Sequence, residues 1–190
     1  MPVKAAELHA AARRVLDGLL AEIGFRRASK TGTASWLRTE GGRWLLVRFQ
    51  PSRWNGAHSA GFKFTVELRL ADRPVLYAAG PLARLPALLS EEDREQLRQM
   101  ENRVIARLPP PDAASIGSLP ASMRSALLAD WRPRLRPYRS DEDIRFRQGD
   151  RADLDVLMAF IARVLPAAIH RFIGSLDSDL PWSDPALTRQ

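Results

Sequence analysis

The sequence contains no cysteine, which excludes disulfide bonds, thiolate metal sites and a cysteine nucleophile. Histidine is scarce, and the three histidines, His9, His58 and His170, are far apart in the sequence. The chain also lacks a Gly-x-Ser-x-Gly motif, a histidine pair at metal-ligand spacing and a glycine-rich phosphate loop. We therefore predict a protein that is not an enzyme, with no catalytic residue, no metal and no cofactor.

Long apolar runs are absent too. No stretch approaches the about 18 apolar residues that a membrane-spanning helix needs. Charged residues interrupt the first 24 residues, so this segment lacks the apolar centre of a signal peptide. At 190 residues, with 45% hydrophobic residues, the chain is long enough to bury the core of one domain. These features predict a cytoplasmic protein with no membrane partner.

Acidic residues are few between Gly24 and Arg73, where the basic residues concentrate. This segment contains ten basic residues: Arg26, Arg27, Lys30, Arg38, Arg43, Arg48, Arg53, Lys63, Arg69 and Arg73. Its acids are Glu40, Glu67 and Asp72, so its net charge of +7 equals the formal charge of the whole chain. Three of the five tryptophans lie here as well. The segment is therefore the predicted contact region for an anionic partner.

The first half of the sequence predicts one helix followed by strands. Apolar residues at spacings of three and four indicate an amphipathic helix over Val3–Ile23, with Gly24 as its C-terminal cap. Strands are predicted at Thr33–Arg38, Arg43–Gln50 and Phe62–Leu70, with a further edge strand at Pro74–Ala79. Glu40-Gly41-Gly42 predicts the hairpin loop between the first two strands.

The second half has helical periodicity. Ser90 begins one predicted helix, Pro120–Trp131 forms a short one, and Asp150 caps a last helix that ends near Gly174 with a kink at Pro166. The prolines of Arg132–Arg139 favour an extended connection between them. In the tail, Asp177, Asp179 and Asp184 have the oxygen ligands that Mg²⁺ prefers, but the neighbouring prolines favour a role in capping turns.

The predicted fold class is α+β. We expect an antiparallel sheet of three to five strands, with the N-terminal helix on one face and a C-terminal helical half. The expected organisation is a single domain over residues 1–190, in which 1–80 form the helix and β-meander, 81–174 the helical half and 175–190 an irregular tail.

Several segments, taken in order, resemble the bacterial family catalogued as domain of unknown function 4304. They are Gly24-Phe25-Arg26-Arg27, Trp36-Leu37-Arg38, the run from Trp44 to Ser52, the run from Phe62 to Leu68, Trp131-Arg132, the acidic run at Asp141, and Val164-Leu165-Pro166. The resemblance covers most of the chain and implies a small cytoplasmic α+β domain. It implies no activity and no catalytic residue.

The sheet face opposite the core is the first candidate site. The alternation of the strand Phe62–Leu70 turns Lys63, Thr65, Glu67 and Arg69 away from the core. The predicted pairing places five further residues on the same side: Trp36, Arg38, Trp44, Arg48 and Gln50. Tryptophan beside arginine forms a platform for nucleic-acid bases or other flat anions. In the alternative, the C-terminal helices cover this face, the tryptophans become core, and Glu67 becomes an ion-pair partner of the arginines.

Two irregular segments are further candidates. Arg53, Trp54, Asn55 and His58 lie in a polar loop, where they either contact a ligand or fold back on the domain. Arg132–Arg139 either clamps an anionic surface or serves as a solvated connector.

The predicted function is that of a non-enzymatic cytoplasmic binding or interaction protein, such as an immunity-type or regulatory partner. Inhibitors of basic nucleases are usually acidic, so the charge of +7 favours an acidic or non-nuclease target. The partner is an unidentified protein or an anionic ligand. The alternative is nucleic-acid or nucleotide binding through the basic, tryptophan-containing sheet region. The sequence does not specify the oligomeric state.

Overall fold

A computed structural model of the chain describes residues 5–29, 32–52, 62–75, 79–107, 116–125, 144–146 and 150–176. Its elements in chain order are α1 (Ala5–Glu22), β1 (Arg26–Arg27), β2 (Ser35–Glu40), β3 (Arg43–Pro51), β4 (Phe62–Ala71), β5 (Leu82–Arg84), a 3₁₀ turn (Leu85–Leu88), α2 (Glu91–Ala106), β6 (Ile144–Phe146) and α3 (Arg151–Leu176). The predicted α+β class is confirmed.

The sheet is antiparallel, in the order β1-β2-β3-β4-β5. The short strand β6 pairs with the first residues of β4, beside the segment that pairs with β5, which gives one strand more than the sequence predicts. A two-residue turn joins β2 to β3, because Gly41 and Gly42 have positive φ angles of 55° and 77° and Glu40 pairs with Arg43. Both angles suit the type I′ turn that matches the twist of a hairpin.

One continuous hydrophobic core lies between the sheet and the helices. α1 and α3 pack against the same sheet face, where Leu16, Trp36, Phe49, Phe64 and residues of α3 form a single buried cluster. The predicted alternation of β4 is confirmed, since its even-numbered apolar residues from 62 to 70 all belong to this cluster. We call this side of the sheet the core face.

The predicted helix ends are largely confirmed. Gly24 has a φ of 84° and donates its N–H to the Ala21 carbonyl, which ends α1. The Ser90 hydroxyl accepts the Asp93 N–H at 3.1 Å, and the Asp150 carboxylate accepts the Ala152 N–H at 2.9 Å, so these two residues cap α2 and α3. α3 runs through its internal proline and ends at Leu176, two residues beyond the predicted end.

The structure differs from the prediction of an edge strand at Pro74–Ala79. Its described residues, 74, 75 and 79, are not in a strand, and residues 76–78 lie outside the described residues. The Pro81 carbonyl accepts the Leu70 N–H of β4. Gly80, with a φ of 145°, makes this close approach possible, because a Cβ there would lie 2.0 Å from the Leu70 carbonyl oxygen. The edge strand is therefore β5.

α3 is the one described helix that is long and apolar enough to cross a membrane by length and composition. Ten of its apolar side chains are buried in the core. Arg163 of this helix also pairs with Asp93 of α2 at 2.9 Å.

Candidate binding face

The sheet face turned away from α1 and α3 is the candidate site, and we call it the outer face. Residues paired in register project to the same side of a sheet, so the pairing defines this surface. It comprises Arg26, Ser35, Leu37, Thr39, Trp44, Leu46, Arg48, Gln50, Lys63, Thr65, Glu67, Arg69, Ala71, Leu82 and Arg84.

The charges on the outer face are strongly unbalanced. Its basic residues are Arg26, Arg48, Lys63, Arg69 and Arg84, whereas Glu67 is the one carboxylate among its described side chains. On the core face, by contrast, each basic strand residue pairs with its own acid. These ion pairs are Arg27–Asp17, Arg38–Glu40 at 2.7 Å and Arg43–Asp72 at 3.0 Å. Basic side chains therefore outnumber the described carboxylates on the outer face by five to one.

A buried ion pair forms the centre of the outer face. Arg48 and Glu67 are direct cross-strand partners, and the Arg48 Nε donates to Glu67 Oε2 at 3.0 Å. Arg48 is 6% exposed and Glu67 is 7% exposed, so both charges are largely removed from solvent. The second guanidinium nitrogen of Arg48 donates to the exposed Gln50 amide oxygen at 2.6 Å. This pair is part of the folded scaffold, because isolated charges at such depth are costly.

Arg69 shows the effect of partial burial on a cation of this face. Burial is the larger cause that lowers its pKa, the Arg48 charge lowers it further, and the Glu67 carboxylate partly offsets both. One carboxylate thus interacts with two guanidinium groups. An additional negative charge on this face would stabilise the protonated form of Arg69.

An apolar patch lies at one end of the outer face. Leu37, Leu46 and Ala71 form a second, small buried cluster, with the half-buried Trp44 packed against it. The Arg26 guanidinium lies 5.5 Å from the centroid of the Trp44 ring, a cation–π contact. One indole face is therefore covered by a cation from β1.

Solvent reaches the edges of the outer face more than its centre. Ser35, Arg48, Thr65 and Glu67 are buried, as are the three small-cluster residues. Arg26 is exposed, and four more residues are half-buried: Trp44, Lys63, Arg69 and Arg84. We call Arg26, Lys63, Arg69 and Arg84 the cationic rim. A partner would meet this rim before the central pair.

Two predicted site residues lie on the other side of the sheet. Trp36 is 1% exposed and belongs to the core, where its indole N–H donates to the Asp17 carboxylate at 2.9 Å. Arg38 also lies on the core side, donating to the Ile23 carbonyl at 2.9 Å, with its guanidinium 4.9 Å from the Phe25 ring centroid. The prediction that both residues share a face with Trp44 is wrong.

The remaining predicted site residues fall into two groups. Trp44, Arg48 and Lys63 lie on the outer face, as the prediction requires. Arg53, Trp54, Asn55 and His58 lie outside the described residues, as does the Arg132–Arg139 segment. The expected pairing of Glu67 with an arginine is observed, whereas α3 lies on the core face rather than over this one.

Two basic residues of the outer face were not predicted to lie there. Arg26 and Arg84 come from β1 and β5, which are too short to show a periodic pattern. Arg69 was assigned to the correct face, and only its proximity to Arg48 and Glu67 singles it out.

Within the described ranges, no group of three or more histidine, aspartate or glutamate side chains could hold a metal ion. In comparisons with known proteins, no family model, no curated protein and no solved structure matches this chain. Membership of the family that the sequence resembles therefore stays a prediction.

Proposed function

We propose that this chain is a non-enzymatic interaction protein whose cationic rim binds an acidic surface of a partner protein. The observation that carries the proposal is the excess of basic over acidic side chains on the outer face. Its five basic residues share the face with a single described carboxylate, that of Glu67. An acidic partner would complement this surface.

The rim suits a protein partner because the sheet fixes its spacing. The four rim residues lie on three strands of one hydrogen-bonded sheet: Arg26 on β1, Lys63 and Arg69 on β4, and Arg84 on β5. Neighbouring strands lie about 4.8 Å apart, so the sheet fixes the backbone positions from which these side chains project. The backbone therefore loses no further conformational freedom when the rim binds a partner.

Nucleic-acid binding is less well supported by the same surface. Base stacking needs open aromatic faces, and the platform predicted from the sequence places Trp36 and Trp44 on the same sheet face. Trp36 is in the core, and Arg26 covers one face of Trp44. Nucleic acid is therefore an alternative outcome of the test rather than the proposal.

The test compares two anionic probes, fluorescently labelled poly-L-glutamate and a mixed-sequence single-stranded DNA oligonucleotide. Anisotropy at low salt measures their binding to the full chain and to Arg26→Gln/Arg84→Gln. The control, Arg14→Gln/Arg151→Gln, removes the same charge from exposed ion pairs of α1 and α3. We expect the rim variant to bind poly-L-glutamate about three- to tenfold more weakly, since rim charges contribute modestly, and the control to change little.

Three outcomes would overturn the proposal. The first is the absence of poly-L-glutamate binding by the unaltered chain. The second is an equal loss in both variants, which would reveal an effect of net charge alone. The third is tight oligonucleotide binding without poly-L-glutamate binding, which would favour the nucleic-acid alternative. Circular dichroism of each variant verifies that the fold is retained.

A further inference from the structure

A cavity of about 600 Å³ opens between the C-terminal end of α2 and the N-terminal end of α3. It is separate from the outer face, and the proposed function does not use it. Met100 and Val104 of α2 line one side, and Val156 and Leu157 of α3 line the other. Small-molecule sites usually have volumes of about 300–1,000 Å³ and mostly apolar walls.

Val156 is unusual among these apolar residues. It is 58% exposed, whereas the neighbouring Leu157 is 1% exposed and part of the core. Among the described residues, three large hydrophobic side chains are more than half exposed, and Val156 is the one that lines this cavity. An apolar side chain at the mouth of an apolar cavity gains stability when a ligand covers it.

The polar groups of the cavity are two arginines and one aspartate. Arg107 forms an ion pair with Oδ1 of Asp153, which balances the single negative charge of the lining, while the buried Asp153 Oδ2 has no hydrogen-bond partner among the described residues. The Arg107 Nε also donates to the Arg103 carbonyl at 3.1 Å, which fixes the Arg107 side chain along the end of α2. The arrangement ties α2 to α3 at the cavity.

Arg103 differs from Arg107. Its side chain is exposed, lines the cavity, and makes no hydrogen bond or ion pair with any described residue. The lining therefore has a net charge of +1, located on Arg103. An anion beside this guanidinium would form a charge-assisted, bidentate hydrogen bond.

We propose that this cavity binds an amphipathic monocarboxylate, of the class of medium-chain fatty acids. The hydrocarbon chain would pack against Met100, Val104 and Leu157 and cover Val156, while the carboxylate would pair with Arg103. The cavity is mostly apolar, which excludes a polyanion such as a nucleotide, and its one uncompensated charge selects an acid over an amine.

Isothermal titration calorimetry of the full chain with octanoate, decanoate and dodecanoate, below their micelle concentrations, tests the proposal. We expect saturable binding that tightens up to about fourfold per buried methylene. Decylamine and decanol, which have the same chain length but a different head group, should bind at least tenfold more weakly than decanoate, on the order of the loss of one charged hydrogen bond.

Variants locate the site. Arg103→Gln should weaken decanoate binding about tenfold, whereas Arg98→Gln, which removes a half-buried arginine of the same helix that pairs with Glu95, should not. Ala152→Trp places a large side chain in the lining and should abolish binding. The arginine variants keep the test valid if the tryptophan variant fails to fold.

The proposal would be overturned by the absence of saturable decanoate binding to the unaltered chain. Equal affinity for decylamine would show that the head group is not recognised. An equal loss in Arg98→Gln and Arg103→Gln would show general adsorption to a basic protein rather than this cavity.

Discussion

His9 illustrates how a single buried side chain can make stability depend on pH. It lies on the buried side of α1, and its Nδ1 accepts the Ala34 backbone N–H at 3.1 Å. This bond requires the neutral imidazole. Burial, and to a smaller extent the Arg13 charge, lower the pKa of His9 from 6.5. Its hydrogen bond joins α1 to the residue before β2.

The lowered pKa gives a prediction with a definite sign. In the unfolded chain His9 takes up a proton near pH 6.5, and in the folded chain only at lower pH. Its stabilising contribution is therefore complete above pH 6.5 and is lost as the pH falls from there through the folded pKa. The free energy of unfolding is measured by urea titration at about pH 7.5 and at about pH 5. Between these two pH values it should decrease less for His9→Gln than for the unaltered chain.

An identical pH dependence in both proteins would show that His9 is not the responsible group.

The carboxylates affect stability in a separate, more acidic pH range. The hydrogen bond from Arg27 is the leading cause that lowers the pKa of Asp17 from 3.8, and the hydrogen bond from Ser90 is the leading cause for Asp93. The contributions of these two carboxylates to stability are therefore lost only as the pH falls below about 3.8.

Among the elements, the pairing of β3 with β4 places two opposite charges in a buried position. Glu67→Gln would leave Arg48, which is 6% exposed, without its carboxylate partner. We expect a loss of about 3–5 kcal/mol in the free energy of unfolding, measured in urea. The double variant Arg48→Met/Glu67→Leu removes both charges and should recover most of this loss. A single-variant loss below about 1 kcal/mol would contradict a structural role for the pair.

The β2–β3 hairpin shows which part of the site the sequence could have predicted. Taking Glu40-Gly41-Gly42 as a three-residue loop pairs Arg38 with Trp44 and puts both on one face. The observed two-residue turn at Gly41-Gly42 pairs Arg38 with Leu45, and Thr39 with Trp44. Because side chains alternate along a strand, this difference of one residue moves Trp36 and Arg38 to the other face.

The other elements were predictable to different degrees. α1, β4 and α3 follow from their long periodic patterns and caps, which depend only on nearby residues. β1, β5 and β6 have two or three residues each and exist because they pair with a strand distant in the sequence. Their contributions to the outer face, Arg26 and Arg84, depend on this tertiary pairing.

At the scale of the molecule, one hydrophobic cluster extends from Leu8 in α1 to Phe172 in α3. Exposed ion pairs Arg14–Asp155 and Arg151–Glu7 also join these two helices. We expect a single cooperative unfolding transition in urea, with the same midpoint by tryptophan fluorescence and by far-UV circular dichroism. Separate midpoints would show that the sheet and the helices unfold independently.

The position of α3 in the sequence has a consequence for biosynthesis. This helix supplies ten buried side chains, and it is the last element of the described chain to be synthesised. While the ribosome still holds it, the core face of the sheet lacks a large part of its cover, so the nascent chain exposes Phe49, Phe64 and their apolar neighbours. Folding is therefore completed only after Phe172 has left the exit tunnel, and until then the unfinished sheet is a substrate for chaperones that bind apolar strands.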